Sequence, residues 1–73
     1  MPPYQQIATD LRERINSGDL APGDMVPSIT TLAQEYGVSK GTAVKALDVL
    51  RREGLTRTVP GWGTFVAERA PKA

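Results

Sequence analysis

The stretch from Ser28 to Gly54 narrows the possible folds more than any other part of the chain. Ser28 follows Pro27 and precedes Ile29, Leu32, Ala33 and Tyr36, apolar positions at helical spacing. Its hydroxyl is therefore placed to accept from the free backbone amides of a new helix. That helix is short and ends at Gly37. A single residue, Val38, separates Gly37 from Ser39, a second N-cap, which opens a helix carrying Ala43, Ala46, Leu47 and Leu50 inward and stopping at Gly54. Two capped helices joined by about three residues, the first ending in glycine, form the signature of a helix-turn-helix.

Upstream, Tyr4, Ile7, Ala8, Leu11 and Ile15 recur at spacings of three and four while Gln5, Asp10, Arg12, Glu13 and Arg14 fall elsewhere, which predicts an amphipathic helix over residues 4–16. Gly18 supplies its stop, and SGDLAPGDMVPS then concentrates Gly, Asp and Pro into a connector read as irregular, with Leu20 and Met25 expected to pin it to the core. Downstream, LTRTV and TFVA are β-favouring runs around the turn-forming PGWG, residues 60–63. A hairpin is expected there. The expected architecture is mainly α with a small β hairpin: three helices followed by a two-stranded antiparallel unit.

A chain of 73 residues supports one domain with one core, since at that size only about 60% of the unfolded surface is buried. We place the domain at residues 3–67 and read 68–73, which lack an apolar period, as a disordered tail or the start of a linker. With no Cys, neither a disulfide framework nor a thiolate zinc site holds the fold together. With no His, the commonest general base and metal ligand is missing, no two carboxylates show acid-base spacing, and no phosphate loop occurs. The expectation is a protein that is not an enzyme and carries no metal and no cofactor. No apolar run approaches the roughly 20 residues that span a bilayer, and the N-terminus MPPYQQ lacks a leader's pattern, so the chain reads as soluble and cytoplasmic.

Net charge is only +1, but its distribution carries more than its sum. Through Gly37, Arg12 and Arg14 face five carboxylates, a net of −3; from Val38 to Val66, Lys40, Lys45, Arg51, Arg52 and Arg57 face Asp48 and Glu53, a net of +3. Opposite signs in the two halves suit a fold of which one side meets a polyanion.

The order of elements, together with PPYQQIATDLRERINSGDLAPGD, VPS, LAQEYGVSKGTAVKAL, LRREGL and GWGTFV, resembles the N-terminal DNA-binding domain of GntR-type bacterial transcriptional regulators over roughly residues 3–66. The resemblance implies a winged helix-turn-helix, with the third helix (residues 39–53) in the major groove and the wing tip (60–63) at the minor groove. It also implies a two-fold symmetric operator in double-stranded DNA, a homodimer formed through a region not present in this chain, and repression relieved by a small molecule, for which no site is expected within these residues. The family's contact positions fall here on Thr30, Ser39, Lys40, Gly41, Thr42, Val44 and the loop around Gly61. Family members usually carry Arg where Thr30 and Val44 stand, often Arg in place of Lys40 and commonly Thr in place of Gly41. Fewer arginines mean fewer bidentate guanine contacts.

Each candidate has a plainer reading beside the functional one. Lys40, in the first turn of the third helix, points at bases or phosphates, or is a solvated lysine. Ser39 and Thr42 have hydroxyls to offer phosphate, though Ser39 serves equally as a cap, and both roles can coexist because the cap uses lone pairs and phosphate uses the proton. Gly41 costs about 1 kcal/mol relative to Ala in a helix, and either admits close approach of the duplex or is tolerated in a frayed turn. Val44 falls near the edge of the apolar face, which favours core edge over contact with a thymine methyl. Lys45 tracks phosphate, whereas Arg52 is solvated or pairs with Asp48. Ser28 and Thr30 offer a helix N-terminus to phosphate or act as local caps. In the loop, Gly61 and Gly63 simply permit the tight turn, or Trp62 folds back as core, or Trp62 lies at the tip against the sugar-phosphate wall of the minor groove, where the family expectation places Gly61. Arg57 is the phosphate ligand on the strand leading in. Against DNA binding stands a winged-helix protein-interaction module with little DNA affinity, motivated by the missing arginines.

Overall fold

The computed structural model describes residues 2–68 and contains five elements: α1 (Pro3–Ser17), α2 (Ile29–Tyr36), α3 (Lys40–Arg52), β1 (Thr56–Val59) and β2 (Gly63–Val66). The expected tail from residue 69 onward lies outside the described residues. Pro3 opens α1 where its missing N–H costs nothing, and Gly18 closes it in the left-handed region at φ 90°. The two predicted caps form: Ser28 Oγ accepts from the Thr31 amide at 3.1 Å and Ser39 Oγ from the Thr42 amide at 3.2 Å. Gly37, at φ 64°, turns the chain out of α2, and residues 37–39 alone join it to α3. A side chain at that φ would cost about 1–2 kcal/mol.

Helix α3 is the central element, packing against α1, α2 and β1. Ala43, Ala46 and Leu50 are sealed from solvent and Leu47 is nearly so. They meet Ile7, Ala8 and Leu11 from α1, Leu32 from α2, Leu20 and Val26 from the connector, and Val66 from β2 in one core. Truncating Leu50 to Ala in such a site costs about 3 kcal/mol. A forked ion pair, Arg12 Nε and Nη2 to the two Glu53 oxygens at 2.9 and 2.8 Å, ties α1 to the end of α3.

The strands pair antiparallel with Thr56 opposite Val66 and Val59 opposite Gly63. Gly63 is thus the first residue of β2, and the loop is residues 60–62 rather than 60–63. Val59 O accepts from Trp62 N at 2.9 Å across Pro60 and Gly61, the latter at φ 81°, the residue pattern of a type II turn.

The connector departs from expectation. Met25 bridges Phe65, Val26 N donates to Thr64 O and Val66 N to Asp24 O, both at 2.8 Å, so residues 23–26 run along the free edge of β2. Extended pairing sends successive side chains to opposite faces. Val26 therefore enters the core at 1% exposure, and Met25, expected inside, stands 57% exposed.

Candidate nucleic-acid interface

The face of α3 opposite its core stripe begins at Ser39 and is open. Lys40, Gly41, Val44 and Lys45 are exposed and Thr42 is half-buried. Lys40 and Val44 are one turn apart and share a side of the helix. A side chain added at Gly41 would meet only Ser39 Oγ, at 3.8 Å, so no internal packing requires glycine there. Ser39 Oγ also lies 3.1 Å from Thr42 Oγ1, either atom donating. Together these two side chains keep at least one hydroxyl hydrogen uncommitted, and the amides of Lys40 and Gly41 precede the first intrahelical acceptors.

Charge on this face is selectively neutralised. Asp48 pairs with Arg51 and, at 2.9 Å, with Arg52, the i+4 partner anticipated from the sequence. Hydrogen bonding from Arg51, with the charges of both arginines, holds the Asp48 carboxyl below its usual range. Lys45 Nζ lies 4.5 Å from the centroid of the Tyr4 ring, a cation–π contact that leans it toward α1. Lys40 and Arg57 make no ion pair among the described residues, and nor does Lys45.

Val44 is not core edge. It is 48% exposed, because the inward stripe is filled by Ala43 and Leu47 and the wing stops short of covering its flank. Between them lies a groove of about 230 Å³ lined by Ile29, Val44, Leu47, Asp48, Arg51, Thr58 and Thr64. Thr58 and Thr64 are directly opposed across the hairpin, a pair the sequence reading passed over although strand alternation would have put them on one face. Arg51, at i+3 from Asp48, was likewise missed.

The remaining candidates form other groups. Ser28 and Thr30 are exposed at the start of α2, where Ser28 Oγ donates to Thr31 Oγ1 at 2.9 Å. Arg57 pairs with Phe65 and so lies on the wing face turned away from Thr58 and Thr64. It shares an open groove of about 310 Å³ with Gly23, Val59, Trp62, Phe65 and Glu68. Gly61 is exposed at the tip, and Trp62, at 74% exposure, does not fold back as core. No described helix is long and apolar enough to cross a membrane.

Comparison with known proteins gives the family and matches the fold. Residues 3–66 match the model of the family described as bacterial regulatory proteins, gntR family. The mannosyl-D-glycerate transport/metabolism system repressor MngR of Escherichia coli K12 is 42% identical over 67 residues, which are 92% of this chain and 28% of MngR. The HTH-type transcriptional repressor YtrA of Bacillus subtilis is 38% identical over 69 residues, 94% of this chain and 53% of YtrA. The chain thus spans between about a quarter and about half the length of these relatives. Among solved structures, the AraR DNA-binding domain in complex with operator ORR3 is 39% identical with a TM-score of 0.88, over 92% of this chain and 81% of that one.

Proposed function

Because the chain belongs to the gntR family of bacterial regulatory proteins, we propose that it is the DNA-reading domain of a transcriptional regulator, and of a repressor in particular. The observation that carries this is the two-sidedness of α3. One side is sealed against α1, α2 and β1, while the N-terminal half of the other leaves Ser39, Lys40, Gly41 and Lys45 exposed and Thr42 half-buried, with its two lysines in no ion pair among the described residues.

In this reading α3 lies in the major groove with Lys40 toward base edges or flanking phosphate, and the amides of its first turn, with the Ser39 and Thr42 hydroxyls, accept a phosphate. Gly41 lets the helix backbone approach the duplex. The first turn of α2, with Ser28 and Thr30, meets a second phosphate, and the wing tip at Gly61 and Trp62 reaches the adjacent minor groove with Arg57 behind it. A homodimer made through residues outside this chain would present two such domains to a two-fold symmetric operator in the bacterial cytoplasm. The likeness to an operator-bound AraR domain supports the docking, and the repressor names of MngR and YtrA support the direction of regulation.

Amide shifts recorded during titration with a DNA duplex selected from a random pool test the proposal. The largest changes are expected at Ser39, Lys40, Thr42 and Gly61. No binding, or changes centred on α1 and the acidic connector when a protein partner is added instead, would replace it with an interaction module.

A further inference from the structure

The groove beside Val44 has a chemistry that phosphate does not explain. Its floor is Ile29 and Leu47, its far wall is the Thr58–Thr64 pair, and its one carboxylate, Asp48, is held by Arg51 and Arg52. No unpaired cation among the described residues lines it. Val44 has no hydrogen-bond donor for guanine O6 or N7 and no amide for adenine, yet it projects on the same side of α3 as Lys40, from a β-branched side chain with few rotamers to lose. Of the groups that base pairs display in the major groove, the 5-methyl of a pyrimidine is the apolar one, and in unmodified DNA thymine supplies it.

Resting on the DNA-binding reading above, we propose that Val44, backed by Ile29 and Leu47, recognises the 5-methyl group of a thymine, so that each bound copy of this domain prefers thymine at one base pair. Val44 is thereby a specificity-determining residue through apolar contact where an arginine would demand guanine.

The test starts from sequences selected by the 73-residue chain from a random duplex pool, with uracil then replacing each thymine in turn. One replacement is expected to weaken binding about fourfold, the equivalent of one buried methyl, with the other positions near neutral. In Val44→Ala that discrimination disappears while helical circular dichroism is retained, and Val44→Arg moves the preferred base at the same position to guanine. At that position 5-methylcytosine should bind tighter than cytosine by a similar factor, because it restores the methyl, and equal binding of the two cytosines would overturn the assignment to the methyl group. Intact binding with every uracil neutral, or a fourfold effect that survives in Val44→Ala, would overturn the proposal while leaving DNA binding in place. Failure to enrich any sequence would refute DNA binding itself.

Discussion

The pattern of paired and unpaired charge makes the salt dependence of DNA binding calculable. Of the cations from Lys40 to Arg57, Arg51 and Arg52 are committed to Asp48, so in the proposed docking Lys40, Lys45 and Arg57 are the ones that neutralise phosphate. Three neutralised phosphates give a slope of log K against log salt of about −2.7, a loss of about 40-fold in affinity between 50 and 200 mM. Lys40→Ala should bring the slope to about −1.8 and the loss to about 12-fold. Asp48→Asn works in the opposite direction. It releases Arg51 and Arg52, of which Arg51 borders the Val44 groove and is the one counted toward phosphate, and the slope should deepen to about −3.6, or about 150-fold over the same range, at the expense of two exposed helical ion pairs. Fluorescence anisotropy of a labelled selected duplex, titrated at four or more salt concentrations, measures each slope. A wild-type slope shallower than about −1 would refute the assignment of these cations to phosphate, and an unchanged slope in Asp48→Asn would refute the view that Asp48 withholds Arg51 from the duplex.

Gly41→Ala should stabilise the free domain by about 0.5–1 kcal/mol, since the added methyl meets only Ser39 Oγ at 3.8 Å, while weakening DNA binding by blocking close approach; urea unfolding and the same anisotropy titration separate the two effects. Thr56 is buried at 4% exposure with no hydrogen-bond partner for Oγ1, so Thr56→Val should raise stability by about 1 kcal/mol, seen as a higher urea midpoint at constant m. Tyr36 Oη donates to Asp10 Oδ2 at 2.9 Å, and burial, with that bond, pushes its pKa up to about 12. A raised folded-state value favours the neutral ring, so the contribution is complete below the unfolded value of about 10 and is lost as pH rises through 12. Allowing for partial solvent access, unfolding at pH 9 and pH 12 should differ by about 1 kcal/mol more in the wild type than in Tyr36→Phe.

What the sequence made legible was whatever depends on near neighbours along the chain. The Ser28 and Ser39 caps each act on an amide three residues on, Gly37 and Gly18 close helices by a single backbone angle, and Asp48 finds Arg52 one turn away. Such contacts need no knowledge of tertiary placement. The inward stripe Ala43, Ala46, Leu47 and Leu50 was legible for the related reason that helical period alone separates it from Lys40 and Gly41.

Met25, Val44 and Trp62 show where that reasoning runs out, because hydrophobicity predicts burial only if another segment arrives to cover the side chain. The connector was read as irregular from its Gly and Pro content, yet its pairing with β2 is long-range and decides that Val26, not Met25, faces inward. That same edge contact helps hold the wing in position. The wing's position in turn leaves the flank of α3 at Val44 open, with Thr58 and Thr64 as its opposite wall. An apolar residue left exposed on a helix whose other side is fully packed, beside an internally neutralised ion pair, contributes little to this core. Its chemistry is better matched to a partner that carries an apolar group, and in a major groove that group is a methyl on a base. On the proposal made above, the residue that sequence period assigned to the edge of the core is the one through which the fold most specifically limits what this domain can read.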